Sequence, residues 1–98
     1  PFVNLSSATN FNSFLYYATS LTTFPANMFD NSAATNYINA FANTNLTTQS
    51  IDNILVSVDT AGGINGSFKQ SGGSSPSATG LAAKDSLVAK GWTAIYTV

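Results

Sequence analysis

The sequence predicts an α/β chain built as a short leucine-rich-repeat-like right-handed solenoid. A narrow parallel sheet forms one wall, short helices form the other, and a C-terminal α/β cap closes it. Two observations carry that expectation. First, one stretch occurs twice: residues 9 to 23 read TNFNSFLYYATSLTT and residues 35 to 48 read TNYINAFANTNLTT. Both open on Thr-Asn-aromatic and close on Leu-Thr-Thr, with openings 26 residues apart and closings 25. A period in the twenties marks stacked units that cannot bury their apolar faces alone. Second, helix-like and strand-like runs alternate singly along the chain, which favours parallel pairing through right-handed crossovers.

Composition narrows the functional classes. Ninety-eight residues allow one domain, 1–98, divided into two degenerate repeats (1–48) and C-terminal capping units (49–98). Only 7% of residues are charged, against about a quarter in an average domain, and Ser, Thr and Asn supply the polarity instead. Three Lys and four Asp make up the charge, with no Arg, Glu or His. Three scattered Lys make no phosphate-neutralising patch, so neither nucleic acid nor an anionic membrane surface is an expected partner. No apolar run approaches the ~18 residues of a membrane span, so no membrane insertion is expected. The absence of Cys excludes disulfides, thiolate metal sites and Cys nucleophiles. The chain opens on Pro1 without a signal pattern and reads as part of something longer.

Taken in order, Phe2-Val3 reads as a short strand or the tail of an earlier repeat. Phe11, Phe14, Leu15 and Ala18 fall at helical spacing, and Leu21-Thr22-Thr23-Phe24 reads as a brief strand stopped by Pro25. A turn follows, with Met28 and Phe29 tucked in and Asp30-Asn31-Ser32 as its polar part. In the second copy Tyr37, Ile38, Ala40 and Phe41 form the helix-like apolar set, and Leu46-Thr47-Thr48 the strand.

The clearest helix comes next. Ser50 is the candidate N-cap, and Ile51, Ile54, Leu55 and Val58 form one apolar stripe. Asp52 and Asp59 share another side, expected to be wet, and Gly62-Gly63 supply the stop. Asn65-Gly66 is a turn before a short strand through Phe68, and 71–77 is a flexible loop. A last helix is expected over 78–90, with Leu81, Leu87 and Val88 inward and Asp85 and Lys90 outward. Gly91 stops it, and Trp92 to Val98 is the strongest strand of the chain.

Leu21 to Asn31 (LTTFPANMFDN) with Ala40 to Leu46 (AFANTNL) resembles the surface leucine-rich-repeat proteins of the BspA type. SIDNILVS from Ser50, Asn65-Gly66-Ser67, Ser71-Gly72-Gly73 and Lys90-Gly91-Trp92-Thr93 are similar to the C-terminal repeat block of such proteins in bacteria and tailed marine phages. The resemblance covers nearly the whole chain, but Ala18 and Thr44 stand where the family's repeats carry Cys. It implies a non-enzymatic surface module without catalytic residues. The expected role is a structural or receptor-contacting part of a virion, tail fibre or surface appendage. The alternative is a bacterial cell-surface adhesin segment that binds host protein or glycan. The expected location is the virion or cell surface.

Candidate chemistry is sparse. Without His, a nucleophilic Ser or Thr has only Asp or Lys as its base, and the spacing of Ser86 and Lys90 suits an exposed helix face better than a site. No catalytic residue, cofactor or metal is expected. Asp30-Asn31-Ser32 has oxygen donors, but calcium takes about six to eight oxygens, so a turn is preferred. Tyr16, Tyr17, Thr22 and Thr47 are the candidate contact surface, with Thr22 and Thr47 equivalent on stacked units. The expected partners are protein neighbours in a larger assembly, as a homo-oligomer or a continuing chain, and surface glycan. The sequons at Asn4, Asn45 and Asn65 carry weight only in a glycosylating host.

Overall fold

A computed structural model describes residues 20–30 and 34–97. The fold is α/β: β1 (Asn36–Ile38), α1 (Thr48–Thr60), β2 (Ser67–Ser71), α2 (Ala78–Ala89) and β3 (Thr93–Thr97). The three strands are parallel in the order β1-β2-β3, so each helix carries the chain to the neighbouring strand. The register sets Tyr37 beside Phe68 and Phe68 beside Ala94. The two helices pack on one another. The expected parallel pairing is therefore present.

The second copy has the opposite order to that expected. Asn36–Ile38 is a strand, and residues 39–43 are a turn. The spacing of Tyr37, Ile38, Ala40 and Phe41 suggests a helix, yet a β-branched and an aromatic residue followed by Asn favour a strand and a left-handed stop. Asn39 and Asn43 have φ of 56° and 61°, which no helix allows. Between two paired positions β1's chain takes six residues, Ile38 to Thr44, where β2's takes three, Lys69 to Gly72. The extra residues bury Ala40, Phe41 and Ala42.

Leu46-Thr47 is not a strand but the lead into α1, which begins at Thr48. Its N-cap is Thr47, not Ser50, and the Thr47 hydroxyl accepts the Ser50 N–H at 3.3 Å. The repeat itself is nevertheless physical. The Thr47 N–H donates to Thr22 O at 2.9 Å and the Asn45 N–H to Leu21 O at 3.2 Å, so the two Leu-Thr-Thr copies lie side by side. The next unit continues the row, with the Ser74 N–H donating to Leu46 O at 2.9 Å. The segment 21–24 is thus paired with the second copy without being a strand. The helix-like run at 9–19 lies outside the described residues.

The α1 stripe and the glycine stops lie where the sequence places them. Ile51, Ile54, Leu55 and Val58 are all buried. Gly62 (φ 82°) and Gly91 (φ 87°) take the left-handed conformation just past the two helices. On α2 the inward residues are Gly80, Ala83 and Leu87, while Leu81 and Val88 are exposed, contrary to expectation. The apolar residues of α2 surround much of its circumference, so periodicity along this helix does not single out one face.

The core is aromatic. Phe24 stacks on Phe29 with ring centroids 5.6 Å apart and meets Phe41 edge-on at 5.1 Å. Tyr37 meets Phe29 edge-on at 5.3 Å, and its ring lies 6.2 Å from Phe68 and 6.0 Å from Trp92. The Trp92 indole N–H donates to Gly63 O at 2.8 Å, which satisfies its one polar atom. Tyr37 and Phe41 are core residues, as their apolar context suggested.

Candidate contact surface

The candidate residues divide into two groups. Tyr16 and Tyr17 lie outside the described residues. Thr22 and Thr47 are exposed neighbours, joined through the Thr47 N–H. Around them Thr23, Thr48, Ser74 and Ser75 are also exposed, and Thr48 donates its hydroxyl to Ser75 O at 2.8 Å. Three adjacent extended segments thus present a band of hydroxyls along the helix N-termini. Thr47 also has a structural task. Its hydroxyl caps α1 and lies 2.9 Å from the Ser50 hydroxyl. Asn36, in the second Thr-Asn-aromatic opening, uses its side-chain oxygen to accept the Ile38 N–H at 3.1 Å. Asn10, its counterpart in the first opening, is outside the described residues.

The carboxylates are the groups that sequence reasoning placed least well. Asp52 is 5% exposed and not wet. It accepts the Ser77 N–H at 2.9 Å and the Ser77 hydroxyl as well, at the head of α2. A carboxylate there meets the positive end of the α2 dipole. One signal was available: Asp52 follows Ile51 and precedes Leu55 by three, so it borders the apolar stripe where a neighbouring element can cover it. Gly80 fits this contact. A Cβ on it would run into Asp52 Oδ1 and come within 2.8 Å of the Pro76 Cβ. Ala is about 1 kcal/mol better than Gly in a helix interior. Forcing atoms into a packed site costs about 1–3 kcal/mol. Gly80→Ala is therefore expected to lower the melting temperature, and a rise would show that the Asp52 contact is absent in solution.

Asp59 and Lys90 make the second link. The Lys90 ammonium donates to the Asp59 carboxylate at 2.8 Å and to the Asp59 backbone carbonyl at 2.9 Å. Lys90, expected to face out at the end of its own helix, instead reaches the C-terminal turn of α1, where Asp59 O also accepts the Gly62 N–H at 3.1 Å. Both side chains keep partial solvent contact, 33% and 24%. Lys90→Met retains the aliphatic stem and is expected to lose about 1 kcal/mol in low salt. In about 1 M NaCl, where the Debye length is ~3 Å, much of the difference should vanish in parallel urea titrations. Equal losses at both salt levels would mean that packing, not charge, accounts for the effect.

The third carboxylate, Asp30, accepts the Ser57 hydroxyl at 2.6 Å, and Ser57 in turn accepts the Phe29 N–H at 2.7 Å. Ser57 is buried, so this pair satisfies groups that would otherwise be orphaned. Ser50 does the same two turns earlier by accepting the Phe24 N–H at 2.9 Å, and Asn53 donates to Phe24 O at 2.8 Å. Asn31 and Ser32 of the suggested calcium turn lie outside the described residues. Among the described residues no three of His, Cys, Asp or Glu gather around a common point, and no helix is long and apolar enough to cross a membrane. Ser86 is half-buried, and the Lys90 ammonium is held on Asp59.

These long-range side-chain bonds share a spacing. From Ser77–Asp52 (25) to Lys90–Asp59 (31), each links residues of similar separation along the chain. Comparison of the chain with protein-family models, with curated proteins and with solved structures found no match.

Proposed function

We propose that the chain is a segment of a short right-handed leucine-rich-repeat-like solenoid. Its role is that of a non-enzymatic structural or receptor-contacting module of a virion, tail fibre or surface appendage. One observation carries the reading: the carboxylates of Asp30, Asp52 and Asp59 are each bound to a side chain about one unit away. Groups that would serve general acid–base work in an enzyme are here fasteners between successive units. The parallel order β1-β2-β3, the packing of α1 on α2 and the side-by-side Leu-Thr-Thr segments support the stacked reading. The band of exposed hydroxyls from Thr22 to Ser75, in a chain with few charges, offers hydrogen bonds to a neighbouring protein or a glycan.

Antibodies raised against the folded chain test the location. Immunogold labelling of purified particles and appendages from the source supports the proposal. Label confined to a bacterial cell wall favours an adhesin segment instead, and label on neither defeats both. For the contact surface, Thr22→Lys combined with Thr23→Lys is expected to abolish capture by the partner or glycan that the wild-type chain retains. Undiminished capture would remove the hydroxyl band from the proposal.

A further inference from the structure

The two helices carry the same face with different outcomes. When their N-caps Thr47 and Ser77 are aligned, Ile51, Leu55 and Val58 of α1 correspond to Leu81, Asp85 and Val88 of α2. In α1 all three residues are buried. In α2 Leu81 is 44% exposed and Val88 49%, and the Asp85 side chain is 76% exposed. Thus α2 keeps the outer apolar pair of the buried stripe of α1, exposed, with a carboxylate between them.

That carboxylate selects the occupant. An apolar element that buried this face of α2 as Leu55 is buried on α1 would enclose Asp85 without a partner for the charge, at a cost of several kcal/mol. A second copy turned over meets no such cost. Leu81, Lys84, Asp85 and Val88 stand at i, i+3, i+4 and i+7 and share one face. Set two α2 helices antiparallel about a two-fold axis that passes between Lys84 and Asp85. Leu81 then lies against the partner's Val88, Val88 against the partner's Leu81, and Asp85 against the partner's Lys84. Within one chain Lys84 Nζ and Asp85 Oδ1 are already 3.8 Å apart, so the axis would gather two positive and two negative charges in alternation. The face is self-complementary in both shape class and charge, as an isologous contact requires.

We propose that α2 is the homodimer contact of this chain, with Leu81 and Val88 as its apolar anchors and the Lys84–Asp85 pair setting its antiparallel register. The inference rests on α2 alone and holds whether or not the chain belongs to a virion.

The test is sedimentation equilibrium of the full chain over a concentration series. A one-helix contact lies below the ~1,200 Å² of stable interfaces, so a weak reversible dimer is expected, with Kd between about 10 µM and 1 mM. Asp85→Lys alone and Lys84→Asp alone each place like charges across the axis, and each should weaken dimerisation at least ~10-fold. Mixed in equal amounts, the two variants regain opposite charges at every crossing and should return to within ~3-fold of wild type. Leu81→Gln, with its charges intact, should also weaken the dimer. Far-UV circular dichroism of each variant confirms that the helices remain. A wild-type chain monomeric at ~1 mM overturns the proposal. So does a charge variant that dimerises as wild type does, or a mixture no better than either variant alone.

Discussion

Tyr37→Ala is expected to remove about 3–5 kcal/mol of stability, out of the roughly 5–15 kcal/mol that holds a domain of this size together. The reason is where the ring sits. Tyr37 comes from β1, yet its ring meets Phe29 from the turn before that strand, Phe68 from β2 and Trp92 at the foot of β3. Truncation removes the transfer energy of one large side chain and leaves a cavity lined by three other rings. Those rings stand on different elements, so they cannot close together without moving the sheet. Urea unfolding followed by circular dichroism should show a lower midpoint with an unchanged slope. Phe is the control: Tyr37→Phe retains the ring and should recover most of the loss. A Tyr37→Ala loss under about 1 kcal/mol would mean that this aromatic junction is not packed in solution.

Asp52→Ala carries the second large effect, about 2–4 kcal/mol, by a different mechanism. No large apolar volume is lost. The Ser77 N–H and hydroxyl both lose their acceptor at the head of α2, and an unmade bond in a covered site costs about 1–3 kcal/mol for each donor. The negative charge at the N-terminus of α2 is also lost. Asp52→Asn keeps one oxygen in place and should cost less than Asp52→Ala. A double-mutant cycle with Ser77→Ala isolates the link: the two losses should fall short of adding by at least about 0.5 kcal/mol. Strict additivity would show that the two residues act separately. The two predictions separate by probe. The Tyr37 change weakens the sheet and the turn before it together, whereas the Asp52 change loosens α2 first, so amide exchange in residues 78–89 should rise selectively.

Much of the chain was legible one residue at a time. The stripe from Ile51 to Val58, the glycine stops and the Asn65-Gly66 turn depend on neighbours within one helical turn or one bend, and the structure has them where the sequence places them. The contact surface was legible only in part. Thr22 and Thr47 emerged as equivalent because the repeat aligns them, and they are adjacent in space. Their structural load was not visible, because a Thr before a helix reads alike whether its hydroxyl faces a ligand or the first turn.

The sequence alone determined that the two Leu-Thr-Thr segments lie side by side, because a repeated Leu-Thr-Thr with repeated spacing can satisfy its backbone groups by pairing with its own copy. It also determined the parallel pairing of strands separated by single helices. Only the tertiary structure decided the phase of each unit: Tyr37 and Ile38 lie in a strand because β2 lies beside them, whatever helical spacing they share with Phe41. It likewise decided the fate of the charges. Asp52 is buried, and Lys90 crosses to Asp59, because Ser77 and α1 lie within reach; each of those partners is about one unit away along the chain. Periodicity reports the side of a helix on which a residue stands. Whether that side is wet depends on what packs against it: Val58 is buried while its counterpart Val88 is exposed.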